Sequence, residues 1–189
     1  LGHPIVIDPV GVSGSSYRRE KCLELMKIIH PTCIRGNYSE IQALLHNCGT
    51  VTGVDAAEDA LAEAEETDLP ELMKQYAKEN QMILVASGET DLITDGSCVY
   101  RCHNGSPMMA RITGSGCMST VMLGAFLSAE NSVESAVACC AFTGIAGELA
   151  AKEMTAQKRG TMTFRNWFID AVSLMTPEQL EHGTDVDWF

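Results

Sequence analysis

Apolar positions in this chain fall into short β-branched runs separated by longer stretches of helical period. Ile5-Val6-Ile7-Asp8 is one such run; it closes on a carboxylate and is broken by Pro9-Val10-Gly11. After a Ser13-Gly14-Ser15-Ser16 loop, Tyr17 to His30 predicts a helix with Cys22, Leu25, Met26 and Ile29 on one face, stopped by Pro31. Thr32-Cys33-Ile34 predicts a buried strand leading into Arg35-Gly36-Asn37, and Ser39 to His46 a short helix with Ile41, Leu44 and Leu45 apolar. Acidic helical sequence fills Ala56 to Asn80, interrupted near Leu69-Pro70. Met82 to Ser87 reads as a strongly apolar strand, and Leu92 to Thr94 with Cys98 to Cys102 as a hairpin across Asp95-Gly96-Ser97. Three helices follow, Ser115–Ala129, Val133–Thr155 and Phe164–Met175. Glu181 to Phe189 is expected to be a loosely held tail.

Strands alternating with helices predict an α/β fold, a mostly parallel central sheet flanked by helices, in one domain over residues 1–189. In such sheets ligands bind beyond the carboxyl ends of strands. Asp8, Arg35, Ser87 and the glycine turn at Gly114 are each expected at such an end, so they converge on one crevice. The first strand begins within a few residues of Leu1, which predicts that an N-terminal part of the fold is absent from this chain.

The turn itself, Ile112-Thr113-Gly114-Ser115-Gly116-Cys117, runs straight into the apolar helical pattern Met118 to Ala129. Glycines permit close approach to a ligand and positive φ. The first turn of a helix carries unpaired N–H groups and the positive end of the dipole. Together they predict a phosphate cradle, an anion hole of the N–H groups of Gly114, Ser115, Gly116 and Cys117. Cys117 stands at its rim, where a helix N-terminus stabilises a thiolate that can take a proton from a hydroxyl. Its other reading is a small buried apolar side chain.

Composition narrows the classes. The net charge of −12 supplies no basic stripe for nucleic acid. Arg18, Arg19 and Lys21, the one local basic cluster, read as solvated helix surface. There is no uncharged apolar run of membrane-spanning length and no secretory leader pattern. The eight cysteines, at 22, 33, 48, 98, 102, 117, 139 and 140, sit largely in apolar runs and read as small hydrophobes of a reducing cytoplasm. Cys98-x-x-x-Cys102-His103 has half of a zinc-site spacing and no second half.

Several residues carry two readings. Asn37-Tyr38-Ser39-Glu40 is a capping box; Glu40 can also face the crevice and, with Asp8, hold a hydrated Mg²⁺ directly or through water. Arg35 offers a planar fork to phosphate oxygens. The Ser87 hydroxyl caps a turn or binds a phosphate oxygen. Gly144 and Gly147, inside a helical run, allow close helix packing or a flat wall for a nucleotide base.

Ile7-Asp8-Pro9-Val10-Gly11-Val12, Ile34-Arg35-Gly36-Asn37-Tyr38-Ser39-Glu40, Gly53-Val54-Asp55 and Ser87-Gly88-Glu89-Thr90-Asp91 recur with His103-Asn104-Gly105, the Ile112–Cys117 turn and Gly144-Ile145-Ala146-Gly147-Glu148-Leu149-Ala150-Ala151. In this order and spacing, over nearly the whole chain, they resemble the hydroxyethylthiazole kinase family of the ribokinase-like superfamily. Most ribokinase-like kinases place an aspartate where Cys117 stands. The resemblance implies ATP-dependent phosphorylation of the hydroxyl of 4-methyl-5-(2-hydroxyethyl)thiazole, a salvage step toward thiamine, with Mg²⁺. It implies that Arg35 and Ser87 contact ATP, although the family usually has threonine at position 87. It further implies that Gly114 contacts the thiazole alcohol, that Cys117 is the catalytic group beside its hydroxyl, and that Asp8 and Glu40 serve the metal. A cytoplasmic homotrimer with active sites between subunits is implied as well, as is a further N-terminal segment. Two other readings stand beside it: a kinase of a pyrimidine or sugar alcohol, and a non-catalytic nucleotide-binding assembly subunit.

Overall fold

The computed structural model describes residues 2–46 and 69–189. Cys48, the Gly53-Val54-Asp55 motif and the acidic stretch up to Asp68 lie outside the described residues.

Three strands set the frame: β1 (Val6–Ile7), β2 (Cys33–Asn37) and β3 (Ile83–Ser87), paired in parallel with Val6 opposite Cys33 and Arg35 opposite Val85. Helices α1 (Ser16–Ile29), α2 (Tyr38–Leu45) and α3 (Leu69–Asn80) lie between or beside them. β4 (Asp91–Thr94), β5 (Val99–Cys102) and β6 (Val186–Trp188) continue the sheet antiparallel, giving the order β1-β2-β3-β4-β5-β6. A 3-10 turn, Pro107–Arg111, precedes α4 (Ser115–Ala129), α5 (Val133–Ala156), α6 (Thr161–Leu174) and α7 (Pro177–Gly183). The α/β architecture is thus present, and its sheet is mixed. The parallel part is β1 to β3, where helices make the crossovers; the Gly88-Glu89-Thr90 turn reverses the chain into β4, and the Asp95-Gly96-Ser97 hairpin reverses it again into β5.

Strand alternation divides the core. On β3, Leu84 and Ala86 pack with Ile34, Ile41, Leu44 and Met73 beneath α1 to α3, whereas Ile83 and Val85 pack with Leu123, Leu127 and Cys139 beneath α4 and α5. A strand buried on both faces reads as a continuous apolar run, which is why Met82 to Ser87 stands out in the sequence. A third cluster, centred on Phe164 and Phe168, seats α6 against α5. The 24-residue α5 is long and apolar enough to cross a membrane, with a mean hydropathy of 1.3 over its most apolar window, yet 61% of that window is buried inside the protein. It is the core helix of this fold.

Two expectations are corrected. Leu25 is not on the packed face of α1: it is 46% exposed, and Met26, with Cys22 and Leu23, makes the contact instead. Nor is the segment from Glu181 a loose tail. It completes α7 and then forms β6, with Val99 and Phe189 exchanging backbone hydrogen bonds of 3.1 Å in both directions. The side chain of Asp187 has partners: it accepts from Arg101 Nε at 2.5 Å and faces His103 Nε2 at 3.0 Å. Buried Asn104 adds the decisive tie, donating to Gly183 O at 2.8 Å and accepting the Asp185 N–H at 2.8 Å.

Candidate active site

The carboxyl ends of β1 and β2 meet the N-terminus of α4. Gly114 is the residue before that helix, at φ 96°, in the left-handed region, and a Cβ placed there would meet nothing within 4 Å. The position therefore demands glycine for its backbone and leaves open space above it. Gly114 offers no side-chain cap, and the first intrahelical bond runs from Met118 N–H to Gly114 O at 2.9 Å. The N–H groups of Ser115, Gly116 and Cys117 thus precede any acceptor within the helix. The Ser115 hydroxyl turns away, donating to Met109 O at 2.8 Å, so this residue offers the cradle only its backbone. Cys117 is exposed, which disposes of its reading as a buried apolar side chain.

Arg35 lies within β2, two residues before the strand ends, rather than at its terminus. Its Nη1 donates to Gly116 O at 3.1 Å and lies 3.5 Å from Thr120 Oγ1. Gly116 eases the approach, since a Cβ there would stand 3.3 Å from that nitrogen. The other guanidinium nitrogens of Arg35 donate to no acceptor among the described residues. Asp8, half-buried just after β1, accepts the Thr120 hydroxyl on Oδ2 at 2.7 Å. Its Oδ1 meets no donor among the described residues.

Glu40 is 9% exposed and closes the capping box of α2, with Oε2 accepting the Asn37 N–H at 2.9 Å. Oε1 accepts the Gly11 N–H at 2.8 Å, which ties α2 to the loop after Asp8. The capping role read from the sequence is therefore present together with a second, long-range role. Ser87 ends β3 and donates to Gly36 O at 3.2 Å. It lines a shallow cleft of about 460 Å³ with Asn37, Tyr38, Ser39, Gly88, Glu89 and Thr90; the Gly114 turn does not line it.

The donor set can be weighed for a divalent cation. No group of three or more His, Cys, Asp or Glu among the described residues forms a metal cage. Mg²⁺ needs none: one or two carboxylates, waters and substrate phosphates suffice. Asp8 fits through its unengaged Oδ1. Glu40 fits at water-mediated range, because both of its oxygens already hold backbone amides.

Other expectations resolve on packing. Gly144 and Gly147 serve close contact: a Cβ on the first would lie 2.5 Å from Asn104 O and on the second 2.6 Å from Met109 Sδ. Burial pushes up the thiols of Cys33, Cys102, Cys139 and Cys140, which keeps them neutral. Arg18 and Arg19, read as a solvated surface, donate to Val10 O and Val12 O and so brace the loop after Asp8.

Sequence reasoning passed over two residues in contact with these elements. Thr120 lies one helical turn beyond Gly116, and that spacing was the available signal. Asp91 opens β4 and accepts the Gly88 N–H at 3.0 Å, pinning the turn after Ser87. Burial pushes its carboxyl up to about 6, against the opposing pull of the Gly88 N–H and the Arg35 charge.

Known proteins carry the same pattern. The profile of the hydroxyethylthiazole kinase family matches residues 1–178. Hydroxyethylthiazole kinase 1 of Methanosphaera stadtmanae is 38% identical over 177 residues, which cover 90% of this chain and 62% of that protein. The hydroxyethylthiazole kinase of Clostridium acetobutylicum is 35% identical over 184 residues, covering 96% and 67%. The structure of the hydroxyethylthiazole kinase protein from Pyrococcus horikoshii OT3 superposes with a TM-score of 0.80 at 26% identity, covering 98% of this chain and 65% of that one. The chain thus spans about two thirds of the length of the relatives it matches. By the extent of these matches, it belongs to the hydroxyethylthiazole kinase family.

Proposed function

We propose that this protein transfers the γ-phosphoryl group of ATP to the primary hydroxyl of 4-methyl-5-(2-hydroxyethyl)thiazole, in thiamine salvage. The observation that carries the reading is the meeting of three elements at one helix start. The uncapped N-terminus of α4 at Gly114, the guanidinium of Arg35 and the carboxylate of Asp8 are linked by hydrogen bonds of 2.7 to 3.5 Å. Phosphoryl transfer asks for this combination, positioning and charge neutralisation, more than for covalent chemistry.

In this reading the backbone N–H groups of Gly114, Ser115, Gly116 and Cys117 face the γ-phosphoryl oxygens and stabilise charge as it develops. Arg35 supplies a fixed positive charge to the nucleotide phosphates, and Ser87 a hydroxyl at the end of the neighbouring strand. Asp8, with Glu40 through water, would hold Mg²⁺, and the ion would supply positive charge to the nucleotide phosphates. Gly114 leaves room for the alcohol. The alcohol oxygen forms the new bond to phosphorus as the bond to the ADP oxygen breaks, and Cys117 Sγ positions the hydroxyl and takes its proton late.

A homotrimer with sites between subunits belongs to the same reading. Its support is the charge-free helix α4, whose Val121 is 75% exposed one turn beyond Cys117. A cytoplasmic setting accords with the neutral, buried thiols. The test is product analysis: incubation with MgATP and the thiazole alcohol yields the thiazole phosphate ester by mass spectrometry. Absence of the ester with active, folded protein would refute the proposal.

A further inference from the structure

Arg35, in β2, and Asp8, just after β1, carry opposite charges, yet no direct ion pair joins them among the described residues. Thr120 stands between them. Its Oγ1 lies 2.7 Å from Asp8 Oδ2, 3.1 Å from Gly116 O and 3.5 Å from Arg35 Nη1. A hydroxyl has one proton to give. The shorter contact, to a charged acceptor, takes it, because charge-assisted O–H···O⁻ bonds are the shorter and stronger kind. The helical carbonyl that would otherwise receive it, Gly116 O, is served by Arg35 Nη1 at 3.1 Å. The chain of donation therefore runs from guanidinium to hydroxyl to carboxylate and polarises in one direction.

No strain is needed for this arrangement. A helical threonine ordinarily turns Oγ1 toward the carbonyl four residues back. Here that same rotamer brings the oxygen to Asp8, which follows the edge strand β1. One residue thereby ties β1, β2 and α4 together.

We infer that Thr120 is a positioning residue: a neutral spacer that fixes Asp8 and Arg35 relative to the Gly114–Cys117 turn while keeping the two charges from collapsing onto each other. This inference rests on the phosphoryl-transfer reading of the site. A direct Arg35–Asp8 pair would neutralise both groups and withdraw the cation from phosphate and the carboxylate from the metal. With the spacer in place, Oδ2 is engaged and Oδ1 remains for a cation, while Arg35 keeps donors in reserve. Thr120 itself touches no reacting atom.

The experiment compares wild type with Thr120→Val, Thr120→Ala and Thr120→Ser. Its probes are ADP in the presence of Mn²⁺, followed by Mn²⁺ electron paramagnetic resonance, and ADP alone, followed by calorimetry. Both non-hydroxyl variants are expected to weaken Mn²⁺·ADP binding by about tenfold or more, the equivalent of losing one charge-assisted hydrogen bond. Binding of metal-free ADP should change less, the ATP KM should rise with kcat falling, and Thr120→Ser should restore all three. In the background of Asp8→Asn the Thr120→Val change should add little, because both remove the same link. Two non-hydroxyl variants keep the test open if one fails to fold. Folded variants that bind Mn²⁺·ADP as tightly as an active wild type would overturn the role of Thr120 and leave the kinase reading standing. A wild type that binds no nucleotide would overturn both.

Discussion

Arg35, inside the second strand of the sheet, donates to the carbonyl of Gly116, in the first turn of a helix 81 residues later, at 3.1 Å. The bond commits one guanidinium N–H to the helix whose start is the proposed phosphate cradle, so cation and helix start hold a set separation. A Cβ at position 116 would stand 3.3 Å from the same guanidinium nitrogen, so a side chain there would crowd it.

Arg35→Ala should therefore damage nucleotide binding before anything else. A hydrogen bond to a charged group contributes about 1.5–3 kcal/mol. At about 1.4 kcal/mol per tenfold, the ATP KM should rise roughly 10- to 100-fold. Arg35→Lys, which keeps the charge and loses the fork, should fall between. Steady-state kinetics with varied ATP decide the matter, and an unchanged KM removes Arg35 from the nucleotide site.

Cys117→Ala should act on the other kinetic constant. The side chain is exposed at the helix start and makes no structural contact that burial would register. Its loss should lower kcat by about 100-fold or more, within the range of positioned proton transfer, with the ATP KM little changed. Unchanged kcat would exclude it from the mechanism.

Asp91 gives the fold a pH signature. Its carboxyl is pushed up from 3.8 to about 6 by burial. A folded state that binds the proton more tightly than the unfolded chain is stabilised in acid. Asp91 therefore contributes a penalty that is absent below about pH 4, grows between pH 4 and 6, and is complete above pH 6. Asp91→Asn keeps an acceptor for the Gly88 N–H and removes the titration. Urea denaturation across pH 4 to 7 should show the gap between variant and wild type widening in favour of the variant. A constant gap would contradict the shift.

Asn104→Ala should be the most destabilising of these changes. It strips Gly183 O and the Asp185 N–H of partners and takes a donor from Glu148, which also holds the Gly105 N–H at 2.9 Å. Each unsatisfied group costs about 1–3 kcal/mol, and 1 kcal/mol lowers Tm by about 2–4 °C in a chain of this size. Differential scanning calorimetry should show a fall of at least several degrees. A shift within about 1 °C would mean that the C-terminal strand is held by its backbone pairing alone.

The helical and strand pattern was largely visible in the residues. Ser115–Ala129 is found with the bounds its apolar run predicts, and the hairpin across Asp95-Gly96-Ser97 with nearly the same bounds. Such features are local: a cap, a breaker, a period. What escaped was non-local. Asp187 is acidic and near the chain end, and it becomes part of a strand by pairing with β5, where Arg101 stands opposite it from 86 residues earlier. Leu25 satisfies the helical period as well as Met26 does, and only the packing partner separates them. Thr120 looks like any helix-surface threonine until Asp8, 112 residues before it, comes within 2.7 Å. Glu40 was legible as a cap because its partner lies three residues away, whereas its bond to Gly11 spans 29.

ADP release from MgATP, measured with and without 4-methyl-5-(2-hydroxyethyl)thiazole, tests the central claim most directly. The claim predicts release that depends on the alcohol, saturates with it, and collapses in Arg35→Ala. ADP formed at the same rate without the alcohol, or none formed by protein that binds ATP, would contradict it.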